Sequence, residues 1–162
     1  GVVINPYKVQ AVDPHNIYIA ITPTVTDAIL AHELAHALDL IGGSKIIPGS
    51  FQSLATEAGV PLEHLDHPME FGRYLTYLRD EFSLVLDADD AIVAFLYERG
   101  MLFKGEEIWS AQVPLLKERS REILIYLQEH RQEVLDIIRH RDGFLKQLDD
   151  KPSTPPSGEY QA

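Results

Sequence analysis

His32-Glu33-Leu34-Ala35-His36 is the stretch whose residue types and spacing point most directly to chemistry. Two histidines four residues apart on a helix stand one above the other on the same side. Ring nitrogens so placed can reach one metal ion at about 2.0–2.1 Å, the usual zinc–imidazole distance. Glu33 lies about 100° around the helix axis from His32. That is too far round to join the ligand set easily, yet near enough to take a proton from water held at the metal. Zinc lowers the pKa of such a water to about 7, which makes hydroxide available at neutral pH. The expectation is one Zn2+ ion held by His32 and His36, with Glu33 as general base.

The elements around the motif must hold it rigidly. Pro23 breaks the chain, and Thr24 or Thr26 can cap a helix that runs to Gly42-Gly43. Its apolar stripe reads as Leu30, Leu34, Leu38 and Ile41. Asp39, three residues beyond His36, falls on the metal-facing side. It is expected either to accept a hydrogen bond from a ligand imidazole or simply to be a polar residue near the helix end.

Residues 44–49 read as a loop, and Phe51 to Ala58 as a short helix ended by Gly59 and Pro61. A second loop carries Glu63, His64, Asp66 and His67. Pro68 suits the first turn of the next helix, which runs to about Leu86 with Phe71, Leu75, Leu78, Phe82 and Val85 as its buried face. A shorter helix covers Asp87 or Ala88 to Arg99. The run Asp87-Ala88-Asp89-Asp90 lacks EF-hand spacing and reads as acids at a helix start. A long amphipathic stretch extends from Pro114 to about Arg141, and Trp109 before it is expected to anchor that helix on the core.

At the N-terminus, residues 2–21 look extended, enough for a small sheet of two strands. The fold expected is mainly α with a small N-terminal β-sheet, in one domain over 1–149. The Pro- and Ser-rich residues 150–162 read as a flexible tail.

The composition, with 45% apolar and 24% charged residues in 162, is that of a globular chain. A formal net charge of -11 repels phosphates and anionic membranes, which argues against nucleic acid as the main partner. No apolar run approaches the roughly 20 residues of a bilayer span. The absence of cysteine excludes disulfides and thiolate sites. The start at Gly1-Val2-Val3 is read as trimmed or processed, compatible with a secreted or periplasmic origin. His15, His130 and His140 are isolated and expected to be solvated.

The motif resembles that of the zincin metallopeptidases. The metzincin continuation HExxHxxGxxH does not fit, because Asp39 and Gly42 stand at the corresponding positions. The extended form His-Glu-Leu-Ala-His-Ala-Leu-Asp is more similar to the branch holding the anthrax-lethal-factor-like and MtfA-type peptidases. In those, as in gluzincins generally, the third ligand is a glutamate on a later helix.

That resemblance implies a peptide or protein substrate, and it directs attention to Glu70. Glu70 sits in the first turn of the helix after Pro68, where the dipole favours carboxylates. Glu70, Tyr74, Tyr77 and Glu81 share one stripe beside the apolar face. Glu70 is the expected third ligand and Glu81 the next choice, with His64, Asp66 and His67 as further alternatives. A three-histidine set through His64 or His67 requires the loop to fold back over the first helix. Tyr74 is the expected donor to the developing oxyanion, with Tyr77, His67 and Arg73 also in reach by position. A non-catalytic zincin-like domain that binds or regulates a partner is the alternative.

Overall fold

The computed structural model describes residues 2–3 and 17–139. Within them the chain is mainly α. The helices are α1 (Asp27–Ile41), α2 (Gln52–Ala58), α3 (Leu62–Asp66), α4 (Met69–Phe82), α5 (Ala88–Glu98), α6 (Gly105–Trp109) and α7 (Val113–Glu129), followed by α8 over residues 131–139. Among the described residues the expected two-stranded N-terminal sheet is an antiparallel pairing of two residues each, in which Val2 faces Ala20 and Val3 faces Ile19; the rest of its expected span, 4–16, lies outside the described residues. Ile21, next in line, is 54% exposed. No helix among the described residues is long and apolar enough to cross a membrane.

The helix carrying the motif forms as expected but buries a different face. Thr26 caps α1, its hydroxyl accepting from the Ile29 N–H at 3.2 Å. Leu30 and Ile41, read as core, are 38% and 68% exposed, whereas Ala28, Ala31 and Ala35 are buried. Hydrophobicity alone favours the leucines. Packing favours the alanines, because small side chains let α4 come close along the line that also carries His32, His36 and Asp39. Leu34 and Leu38 pack at the edge of this contact.

Ser83, in the left-handed region at φ 51, stops α4 at Phe82, four residues short of Leu86. Phe82 is therefore 63% exposed, while Leu86 returns to the core from the following loop. The second loop is largely helical instead, as α3, because Leu65 is pulled into the core. Gly72 allows α4 and α5 to touch. A Cβ there would lie 2.8 Å from the Tyr97 ring, so any larger residue would force the two helices apart.

The apolar interior falls into two clusters. One joins Ala31 and Ala35 of α1 to Phe71, Leu75 and Leu78 of α4 and Ala94 of α5. The other gathers Leu65, Phe95, Phe103, Ile108, Leu116 and Ile123 from α3 and α5–α7. Arg119 on α7 holds the second cluster's covering loop, donating to the Leu102 carbonyl at 3.2 Å and to Glu107 at 3.2 Å.

The long C-terminal stretch is two helices, because α7 ends at His130. His130 is not solvated as expected: its ring stacks on Tyr126 with centroids 4.0 Å apart. Trp109 is 56% exposed and no core anchor; it meets Phe51 edge-on, with the Lys45 ammonium over its ring. His15, His140, the helix end at Arg141, the boundary at 149 and the tail over 150–162 lie outside the described residues.

Candidate metal centre

His32 and His36 project from α1 toward α4, and their Nε2 atoms are 3.2 Å apart. In a tetrahedral zinc site two imidazole nitrogens at 2.1 Å stand about 3.4 Å from each other, so the pair already has nearly the spacing of two ligands. The third ring is His67, at the junction of α3 and α4. Its Nδ1 donates to the Glu63 carbonyl at 2.9 Å, which leaves Nε2 as the free ring nitrogen. The His67 ring centroid lies 5.1 Å from that of His32 and 5.3 Å from that of His36. One nitrogen from each of the three rings falls within a group no wider than 4.8 Å, a spacing that could hold a metal ion.

Local chemistry places His67. Pro68, fully buried, caps α4 without a side-chain bond. Two contacts then tie the helix start to the segment before α6: the Met69 N–H donates to the Phe103 carbonyl at 2.7 Å, and the Gly105 N–H donates to the Glu70 carboxylate at 3.0 and 3.1 Å. Phe71, one turn beyond His67, packs against all three imidazoles with centroids 4.3 to 5.2 Å away. The rings thus sit on an apolar floor that excludes water from one side.

Burial sets the protonation of the cluster. It is the main cause that lowers the pKa of His36 from 6.5 to about 2, with help from His67 and His32. Burial likewise lowers His67 to about 4, with His32 the next cause. Both rings are neutral at pH 7, the state in which an imidazole offers a lone pair to a metal. His32 differs. Burial, the largest single influence, opposes its charge, but the carboxylates of Asp90 first and then Glu33 and Asp87 together outweigh it and raise its pKa. The His32 Nδ1 meets Asp90 Oδ1 at 2.8 Å and Oδ2 at 3.0 Å. Glu33 is half-buried beside the cluster, and its charge adds to the upward pull on His32.

The other expected site residues lie apart from the three rings. Glu70 is not drawn into the cluster; its carboxylate is taken by the Gly105 N–H. Tyr74 turns its hydroxyl toward the end of α1, where a Cβ on Gly42 would be 2.7 Å from it. Gly42 is six residues past His36, about 9 Å along the axis at 1.5 Å per residue. Asp39 is buried and bonded to Ser44. Burial first, and then Glu70, raise its pKa from 3.8 to about 6. Asp39, Ser44, Lys45, Glu70, Tyr74 and Trp109 all line one groove of about 450 Å³ at the C-terminal end of α1. Glu81 and Tyr77 are exposed.

The carboxylate that accepts from a histidine of the cluster is Asp90, on His32, and not Asp39, and the sequence alone does not single it out. Fifty-eight residues separate the two partners, and a first-turn aspartate in an acidic run carries no local sign of such a contact. His67 was legible only as an alternative, since its use depends on the fold-back that α3 provides. No family model, curated protein or solved structure matches this chain.

Proposed function

We propose that this chain is a zinc-dependent peptide hydrolase, with one ion held by His32, His36 and His67 and with Glu33 as general base. The observation that carries the proposal is the convergence of three imidazoles, two of them held neutral by burial, on one point beside a half-buried glutamate. Three protein ligands with a fourth position free is the pattern of catalytic zinc, whereas structural zinc closes all four. Zinc bound there would supply a Lewis acid for the scissile carbonyl and lower the pKa of water. Glu33 accepts the proton from that water and returns it to the leaving amine. The likeness of the motif to zincins supports a peptide bond as the target. Tyr74 remains a candidate oxyanion donor only for a substrate that extends into the groove at the end of α1.

Glu70 competes with His67 for the third place, and to take it the carboxylate must leave the Gly105 N–H. Zinc content separates the two. His36→Ala and His67→Ala are expected to lose the ion, and Glu70→Gln to keep it; the reverse outcome for His67 and Glu70 would install the glutamate. Glu33→Gln is expected to keep zinc and lose about 10²–10⁴-fold in peptide cleavage. Unchanged cleavage in a zinc-loaded Glu33→Gln protein would end the hydrolase reading.

A second reading has its own observation. Zincins hold extended substrates on an edge strand, and the described residues pair only two by two. A metal-bearing domain that binds or regulates a partner fits that shortage. Zinc-loaded protein that cleaves nothing in an unbiased peptide library would favour it.

A further inference from the structure

We infer that Asp90 is a positioning residue of the metal centre, fixing the His32 ring with Nε2 toward His36 and His67 and supplying negative charge next to the ion. The inference rests on the three-histidine reading above and adds to it the group that sets one ligand's orientation and the local charge.

Both Asp90 oxygens face the His32 Nδ1, at 2.8 and 3.0 Å, and the residue is only 5% exposed. A proton on Nδ1 shared with this carboxylate leaves the lone pair on Nε2, the atom already 3.2 Å from its counterpart in His36. The carboxylate cannot easily drift. It stands in the first turn of α5, and that helix is held on one side by Ala94 in the cluster beside the histidines and on the other by Phe95 and Leu96 in the second cluster. The close seat of Tyr97 on Gly72 locks α5 against α4, the helix that begins next to His67.

The two ring anchors differ in kind. His67 is oriented by a neutral carbonyl, that of Glu63. His32 is oriented by an acid. Three neutral imidazoles leave the charge of a divalent ion uncompensated, and Asp90 is the buried carboxylate in direct contact with the set. Partners of this kind are worth about 10–100-fold in metal affinity.

Cobalt(II), whose visible absorption reports tetrahedral coordination, tests the inference by titration of the full chain and three variants. Asp90→Asn keeps an acceptor oxygen but removes the charge; Asp90→Ala removes both. Asp89→Asn removes a charge from the same helical turn at an exposed position. The expected weakening is about 100-fold for Asp90→Ala and about 10-fold for Asp90→Asn, both with shifted absorption bands, against less than about twofold for Asp89→Asn. Far-ultraviolet circular dichroism checks each fold, and the near-isosteric Asp90→Asn decides the matter where Asp90→Ala does not fold. Wild-type affinity and bands in a folded Asp90 variant would overturn the positioning role and leave the metal site standing. Equal weakening by Asp89→Asn would overturn it as well, because a diffuse field would then explain the effect. A wild-type chain that takes up no cobalt would remove the metal reading itself.

Discussion

Where α4 packs against α1 on one side and α5 on the other, the interior is built from Ala31, Ala35 and Ala94 beside Phe71, Leu75 and Leu78, and the buried polar residues of these helices are His36, Asp39, Thr76 and Asp90. Where α3, α6 and α7 meet, it is built from Leu65, Phe103, Ile108, Leu116 and Ile123, with Ser120 as its buried polar residue. The first region gives up apolar volume to hold imidazoles and carboxylates at fixed separations. The second buries large side chains, each worth roughly 1.5–3 kcal/mol. The contrast teaches that the candidate metal site and most of the large buried side chains fall in different clusters, with α5 shared between them and Phe71 and Leu75 as the large residues of the first.

Truncation in the second region is the strongest way to break that division. Ile123 on α7 is 1% exposed, and Ile123→Ala is expected to cost about 2–5 kcal/mol. Metal affinity, measured well below the new melting temperature, should stay within about threefold of wild type if the two clusters are separable. The mirror experiment enlarges the first region. Ala35→Leu adds volume at a position with no exposed surface on the α1–α4 contact, and overpacking of this kind costs about 1–3 kcal/mol. Its lower thermodynamic cost should come with a larger loss of metal binding, because it pushes His36 away from His67. A selective loss of metal binding in Ile123→Ala, or full binding in Ala35→Leu, would contradict the comparison.

The same contrast explains what could be read from the chain beforehand. The motif helix was legible because its cap, its glycine stop and its two histidines are all local signals. Its buried face was not, since Leu30 and Ile41 outrank Ala31 and Ala35 in hydrophobicity while only the alanines admit a second helix. The bases of α4 and α5 were legible from Pro68 and from the acids at Asp87–Asp90. The three-histidine cluster and its carboxylate were not, because His67 depends on α3 forming within an expected loop, and Asp90 on α4 packing against both α1 and α5 so that α5 is carried to His32. Glu70 is expected as ligand from the likeness to gluzincins, its stripe beside the apolar face and its first-turn position, and that position serves equally well for accepting the Gly105 N–H.

Acid should expose the cost of the first region in metal-free protein. His36 and His67 have folded pKa values lowered from 6.5 to about 2 and about 4. Below pH 6.5 the unfolded chain therefore binds two protons that the folded chain refuses, and stability falls as pH falls. Asp39, raised from 3.8 to about 6, works the other way: between those values the folded chain holds a proton the unfolded chain lacks. His64, lowered, and Asp66, raised, oppose each other in the same manner, and the raised His32 acts above pH 6.5. For His36, His67 and Asp39 together, one proton of difference remains between about pH 6 and pH 4, a loss of about 1.4 kcal/mol per pH unit. Urea unfolding with a chelator present measures that slope. Asp39→Asn, which removes the opposing proton, should steepen it toward about 2.7 kcal/mol per unit. A flat profile would mean that the imidazoles are not held neutral, and the first region would lose its distinguishing cost.

The smallest expected effect sharpens the comparison within α1 itself. The Thr26 hydroxyl accepts the Ile29 N–H at 3.2 Å, and Thr26→Ala should cost about 1 kcal/mol by leaving that donor without its side-chain partner. The loss should appear as faster amide exchange in the turn Asp27–Leu30 and a slightly lower melting temperature. It should not appear in metal affinity, because the turn carrying His32 and His36 is fixed from outside the helix, by Asp90 on one ring and by Phe71 beneath both. If metal binding weakens along with the cap, the histidines depend on the continuity of α1 more than on the partners packed against them.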